Sequence, residues 1–426
     1  MINRVSIGKD INLTCILNKK FKTSRISFTI FVPLEKKYVS TNSLVINLLE
    51  KTCKKYPNFS VLNKKLDELY GVSLGTSINK LGDLQALNMY VSFLNQDFIF
   101  EDNIDIVYEA SNLLCDMIFD PVLDKANLFD IRNISQEKRQ LTELILSEYS
   151  DKRIYARLKC EELMCKNERS GINKLGDISQ IEKLDLEEIT EDWKNLLETS
   201  HIEIVTIGSE NLFSKVKSVF KNKFENIKRR DVLDFKTEIV RKVDKVREIK
   251  DFIDVKQSKL ILGFRTDCAK PEDGVISMKI MTVLLGGYVG SKLFLNVREK
   301  MSLCYYCSAL FNKHKGLLFV ESGVEESNIE KAKEAILKEI EDIKLGNFTA
   351  ENLESTKMYV SQAYKKIDDK LSLLDDWYVT QSFSREIKTP KEVIQEINSV
   401  KKEEIIESAK KLILDTVYVL TSKEKN

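Results

Sequence analysis

Two stretches of this chain, each roughly 200 residues long, run through the same order of strand and helix signals, and that duplication of pattern constrains the fold most. In the first stretch, INLTCILNKKFKTSRISFTIFV (residues 11–32) reads as two strands around the polar turn Asn18-Lys19-Lys20. Helical signals follow over Leu44–Leu49, after the cap-rich Ser40-Thr41-Asn42-Ser43, and over Val61–Tyr70, closed by Gly71. Strands are expected at Val72–Asn79 and Leu84–Leu94 with Gly82-Asp83 in the turn, then helices from Ile104 to Met164 and a strand at Ile202–Gly208.

The second stretch repeats that order. Leu260–Phe264 reads as a strand, Ile276–Leu285 and Ser291–Lys300 as helices, and Tyr305–Phe311 and Leu317–Gly323 as paired strands around His314-Lys315-Gly316. Helices run from about Ser327 to Lys411, before a last strand at Val417–Thr421. Ser327-Asn-Ile-Glu330 and Thr389-Pro-Lys-Glu392 both have the form of capping boxes, and Gly346 suits a helix stop. The expected fold class is α+β: two α/β halves, each an antiparallel-rich sheet packed with helices. They are placed at residues 1–220 and 252–426, joined by a charged linker over 221–251 that carries some strand. The linker's basic run, Lys228-Arg229-Arg230, reads as a solvated face.

Charge excludes some partners. Lys+Arg of 67 against Asp+Glu of 66 leaves a net charge of +1, so no whole-chain field recruits nucleic acid or an anionic membrane. The N-terminal MINRVSIGKDINLTC has no apolar core of a leader, and no apolar run reaches the ~18 residues of a membrane span. The cytoplasm is the expected compartment. Eight scattered cysteines fit it as buried free thiols. Cys304-Tyr-Tyr-Cys307 is formally C-x-x-C, but no second pair accompanies it, and on a strand its two sulfurs would point to opposite faces.

The stretch VLLGGYVGSKLFLNVREKMSLCYY, Val283 to Tyr306, carries the main candidate chemistry. Gly286-Gly287 lets the backbone take positive φ or approach another backbone closely, so a sharp joint is expected there. Arg298 lies late in the helix-like segment and Tyr305 seven residues on, at the change to an extended pattern. Both can donate to an oxygen, which suits a peptide carbonyl or an oxyanion. Taken alone, the bland alternative stands beside this one: a solvated Arg and a half-buried strand Tyr. No G-x-G-x-x-G or GK[ST] accompanies the glycines, which argues against nucleotide binding.

This run, with the following GLLFVESGV and EKAKEAILKEIEDIKLGNFTAENLESTK, resembles the C-terminal half of the M16 (pitrilysin/insulinase-like) peptidases. In that family a Gly-rich turn precedes S-x-L-F-x-x-V-R-E-K-x-x-L-x-Y, and the Arg and Tyr contact substrate opposite a zinc site. The resemblance implies the M16-type fold of two homologous halves and assigns Arg298 and Tyr305 to substrate contact. Family enzymes bind zinc through H-x-x-E-H on a helix of the first half, with a further carboxylate from a helix downstream.

Here the resemblance breaks down. The chain has two histidines, His201 and His314, and neither has metal-ligand spacing. Aligned by eye, the motif falls on Asn47-Leu-Leu-Glu50-Lys51, with Asn47 and Lys51 at the His positions; the third ligand falls on Leu144, or on Glu143 one place earlier if the alignment shifts by a residue. An ammonium has no lone pair to donate and repels a cation. No G-x-S-x-G is present, and both histidines read as structural. The resemblance therefore implies a subunit with no catalytic residues or zinc of its own. It would pair with a zinc-bearing M16 paralogue, or with itself when the paralogue is absent, and contribute peptide contacts to a shared chamber. The alternative is a purely structural or peptide-binding M16-fold protein.

Overall fold

The computed structural model describes residues 2–100, 104–209, 212–231, 235–271, 274–384 and 386–423. In chain order the first elements are β1 (Ile2–Gly8), β2 (Ile11–Leu17), β3 (Thr23–Pro33), α1 (Val39–Leu49), α2 (Phe59–Glu68), β4 (Ser73–Leu81) and β5 (Leu84–Leu94). Then come α3 (Ile106–Phe119), α4 (Ile131–Ser150), α5 (Lys152–Met164), α6 (Ile178–Lys183), α7 (Leu186–Thr199), β6 (His201–Gly208) and α8 (Leu212–Phe224). The second stretch runs β7 (Arg247–Phe252), β8 (Ser258–Arg265), α9 (Val275–Gly286), a π-helix over Leu293–Lys300, β9 (Cys304–Asn312) and β10 (Leu317–Val324). It ends with α10 (Ile329–Lys344), α11 (Ala350–Lys365), α12 (Leu371–Val379), α13 (Pro390–Ser399), α14 (Lys402–Lys410) and β11 (Ile413–Thr421).

The chain forms two compact units. One comprises residues 1–146, 172–236 and 370–382; the other comprises 147–171, 237–369 and 383–426. The main crossing from one unit to the other thus falls inside the charged segment 221–251. The sheet of the first unit has the order β1-β2-β6-β3-β5-β4, and that of the second β7-β11-β8-β10-β9. With β1 set aside, the two orders coincide strand for strand. Each has one parallel pair, β2 with β6 and β7 with β11, and the remaining neighbours run antiparallel. The mixed α/β class with two similar halves is therefore a property of the topology as well as of the sequence pattern.

One helix in each unit comes from the other stretch of sequence. In the second unit α5 lays Ala156, Cys160 and Met164 on the sheet residues Ile261, Phe319 and Tyr418. Gly263 permits the close approach, since a Cβ there would lie 2.9 Å from the Met164 sulfur. Buried Glu321 of β10 ties α5 down, accepting from Arg153 at 2.8 Å and Arg157 at 3.1 Å. In the first unit the helix supplies the acid instead: Asp375 of α12 accepts from Arg25 of β3 at 2.7 Å and from the Ser27 hydroxyl at 2.5 Å. Desolvation pushes the Asp375 carboxyl up, and Arg25 opposes that shift. The main core of the first unit gathers around Phe28, stacked on Phe220 at 5.8 Å and edge-on to Phe119 at 6.0 Å. Truncating such an aromatic to Ala typically costs about 3–5 kcal/mol.

Several sequence expectations need correction. Ser327 does not cap α10: residues Glu326–Asn328 form a short 3-10 turn, and Asn328 stands at the cap without a side-chain bond. Thr349 and Asn352 form a capping box on α11 instead, while the Thr389–Glu392 box forms with Pro390 at the helix start. The basic run 228–230 is not merely solvated. Arg229 donates to the carbonyls of Leu197 and Ser200 at the end of α7, and Arg230 pairs with Glu198 at 2.7 Å. Among the described residues no helix is long and apolar enough to cross a membrane.

Candidate functional site

Two places carry the residues singled out by sequence, one in each unit. The first is the C-terminal end of α1. This helix is almost wholly buried, so its apolar residues hold it in place; Glu50 caps it in a right-handed conformation and Lys51 lies just beyond. Asn47, Glu50 and Lys51 are all half-buried. The Lys51 ammonium stands 3.3 Å from Glu137 on α4, and Glu137 is only 2% exposed. Turned to suit its neighbours, the Gln140 amide nitrogen donates to both Glu137 oxygens, at 3.1 and 3.2 Å. Burial pushes the Glu137 carboxyl above its usual range, with Lys51 opposing the shift and Glu50 adding to it. Glu50 itself accepts from the Thr76 hydroxyl at 2.6 Å.

Leu144 is 48% exposed on α4, two helical turns beyond Glu137. The donor set does not fit zinc. An amide, an ammonium and a leucine stand where the resemblance expects the three ligands, and the Lys51 ammonium lies beside Glu137. Among the described residues no three His, Cys, Asp or Glu side chains converge to hold a metal. The histidines lie elsewhere: His201 Nε2 is 2.7 Å from buried Glu203, and His314 sits in the β9–β10 turn, held well below its usual range by desolvation first.

The second place is the start of β9 in the other unit. Neither Gly286 nor Gly287 adopts positive φ. Gly286 is required for close approach, because a Cβ there would lie 2.7 Å from the Ala309 backbone nitrogen of β9. The following segment winds as a π-helix, so Met301 N–H reaches back five residues to the Asn296 carbonyl at 2.9 Å. Arg298 lies over the Phe294 ring at 4.6 Å and pairs with Glu299 at 3.3 Å. Ser302 then turns the chain with φ of +52°.

The β9–β10 register contains a bulge. Gly323 pairs with Tyr306 and Val324 with Cys304, which leaves Tyr305 as the extra residue. Tyr305 is 61% exposed, and its hydroxyl donates to Glu325 at 2.6 Å. That bond raises the phenol's pKa. Arg298 and Tyr305 thus lie near the same end of β9, each with its own acidic partner. Arg298 is close enough to Cys304, the residue before Tyr305, for its charge to act on that thiol. The bulge also overturns one sequence expectation. Cys304 and Cys307 stand opposite Val324 and Ser322, two residues apart on β10, so their side chains share a face.

Residues 183–360 match the family model described as Peptidase M16 inactive domain. A curated Bacillus subtilis (strain 168) protein, "Probable inactive metalloprotease YmfF", is 29% identical over 411 residues, covering 96% of this chain and 95% of the relative. The crystal structure of a conserved protein from Enterococcus faecalis V583 superposes with a TM-score of 0.90 at 26% identity, covering 100% of this chain and 99% of the other. An M16 inactive domain from Pseudomonas fluorescens has the same fold, with a TM-score of 0.80 at 12% identity and 99% and 98% coverage. The chain is thus similar, along nearly its whole length, to M16 peptidase-like proteins described as inactive.

Proposed function

We propose that this chain is a non-catalytic subunit that pairs with a zinc-bearing M16 paralogue carrying H-x-x-E-H. It lends Arg298 and Tyr305 to a peptide chamber shared with that partner. The observation that carries the reading is an asymmetry. The end of α1 is chemically closed to a metal by the Lys51–Glu137 pair, while Tyr305 is raised into solvent on a bulge with Arg298 nearby. Tyr305 and Arg298 are partnered by surface acids, which a peptide carbonyl can replace at little expense because exposed pairs contribute weakly. Zinc belongs to the partner alone in this reading, and the pair works in the cytoplasm. Without the paralogue the chain forms a homodimer.

A second reading, a structural or peptide-binding M16-fold protein with no part in hydrolysis, is favoured by one observation. Glu299 and Glu325 already engage Arg298 and the Tyr305 hydroxyl. Co-expression with an H-x-x-E-H paralogue separates the two. Light scattering should show a one-to-one complex that hydrolyses peptide, with zinc near one per complex and far below one per chain for this subunit alone. Two independent monomers at micromolar concentration would sink the pairing. A complex whose activity equals that of the paralogue alone would favour the structural reading.

A further inference from the structure

All eight cysteines are buried free thiols, and they do not form one chemical class. Cys15, Cys53, Cys115, Cys160 and Cys165 are pushed up by desolvation, which makes them poor nucleophiles at neutral pH. Cys304 and Cys307 differ because the bulge at Tyr305 sets them on one face of β9. It is the face that also carries Ala309, against which Gly286 packs, since Ala309 lies two residues beyond Cys307. Cys307 stands opposite Ser322 on β10, and each thiol shifts the titration of the other. Cys304 is 9% exposed and Cys307 5%, so the first stands nearer solvent, beside exposed Tyr305.

We propose that Cys304 and Cys307 are a reversible dithiol–disulfide pair, with Cys304 the attacking sulfur, Cys307 the resolving one, and a hydroperoxide small enough to reach a nearly buried thiol as the oxidant. Charge supports the division of roles. The Cys307 thiol first, then Ser322 and the Arg298 guanidinium, pull the Cys304 thiol down to about 7, while Cys304 and burial hold Cys307 well above the usual range. Reactive cysteines combine thiolate character with a neighbouring resolving thiol.

The chemistry balances in two steps. The Cys304 thiolate attacks one peroxide oxygen; an S–O bond forms, the O–O bond breaks, and the departing hydroxide or alkoxide takes up a proton. The Cys307 sulfur then attacks the Cys304 sulfenic acid; an S–S bond forms, the S–O bond breaks, and the oxygen leaves as water with the Cys307 proton. Two thiols lose two electrons and two protons, and the peroxide is reduced to two waters, or to water and an alcohol. A dithiol reductant reverses the result by exchange. The bond would span Tyr305 and Tyr306, so oxidation would fix the strand bulge that presents Tyr305.

The test uses the full chain with hydrogen peroxide at a small excess, followed by acid unfolding, thiol counting and non-reducing peptide mapping. The count should fall from eight to six, with Cys304 and Cys307 in one cross-linked peptide that dithiothreitol releases. Cys307→Ser should leave Cys304 as a sulfenic acid that dimedone labels. Should that variant fold poorly, the map of the natural chain decides alone. Eight surviving thiols, a disulfide formed first elsewhere, or Cys304 over-oxidised beside an intact Cys307 thiol would each overturn the proposal. Because the readout is mass and thiol count, failure here leaves the pairing reading untouched, and the reverse holds too.

Discussion

The end of α1 and the start of β9 lie in units of matching strand order, yet their polar groups are arranged in opposite ways. At α1 the charges face inward: Glu137 is 2% exposed and tied to Lys51, and Glu50 is engaged by Thr76. At β9 they face outward: Tyr305 is 61% exposed, and Arg298 pairs with its own chain neighbour Glu299. Disengaging a buried carboxylate from its cation strands a charge in a poorly solvated place, whereas an exposed pair exchanges partners readily. One framework has thus produced a sealed site and an available one. The difference also accounts for a Lys at a position where the resemblance expects a metal ligand. Its ammonium supplies, by a tether, the positive charge that a buried carboxylate needs.

The largest effect that would break this comparison is catalytic. In the reconstituted pair, Arg298→Ala and Tyr305→Phe should each lower peptide turnover by about 10²–10³, the usual consequence of losing an oxyanion-type donor, with melting curves unchanged. Tyr306→Phe is the control, since its ring is half-buried beneath the Arg153 guanidinium at 4.3 Å. Normal turnover in both variants would make the β9 end as silent as the α1 end.

Next in size is the joint that positions the outward site. Gly286→Ala puts a Cβ 2.7 Å from the Ala309 nitrogen and 2.8 Å from Leu293 Cδ1. Backbone must move to relieve it, so the variant should lose about 1–3 kcal/mol in urea unfolding. An unchanged midpoint would mean that α9 and β9 can separate freely, and the joint would not aim anything.

The inward site should respond less, because Lys51 is partly exposed. Lys51→Met leaves Glu137 without its ammonium, and after discount for solvent screening should cost about 1–2 kcal/mol. Lys51→Met/Glu137→Gln should cost less than the sum of the two single changes, since the pair is coupled. Additive losses would show that Glu137 is satisfied by Gln140 alone, and the tethered-cation account would fail.

Much of this was legible from residue patterns. The β4–β5 hairpin was marked by Gly82-Asp83, α13 by Thr389-Pro-Lys-Glu392, and the joint at α9 by its glycine pair. The losses share a cause, which is that periodicity reports a face and not its partner. Amphipathic α5 and α12 have the right apolar stripes, but nothing local says which sheet each will cover. β1 escaped notice as a strand, and β7 was read only as some strand within the charged linker, because these edge strands carry alternations of charge and half-buried residues. The bulge at Tyr305 and the π-helix before it each hold one residue more than the regular period. Reading the bulge as regular strand sends Cys304 to the wrong face.

The smallest prediction concerns Ser302, where the two sites differ in backbone as well as charge. Beyond α1, Glu50 continues in the right-handed region at φ of −71°, so that helix end carries no left-handed strain. Beyond the π-helix, Ser302 sits at φ of +52°, a conformation that costs a residue with a Cβ about 1–2 kcal/mol. Glycine removes that penalty, but it gains roughly 0.5–1 kcal/mol of unfolded-chain freedom and forfeits the weak bond from Ser302 Oγ to the Glu299 carbonyl at 3.4 Å. Ser302→Gly should therefore raise stability by about 0.5 kcal/mol, seen as a small upward shift of the melting curve, and leave turnover within about twofold. A fall in stability would mean that the hydroxyl contact outweighs the backbone strain. A gain in stability with a large loss of turnover would be more informative: the left-handed turn, more than the side chains alone, would then set where Arg298 and Tyr305 point.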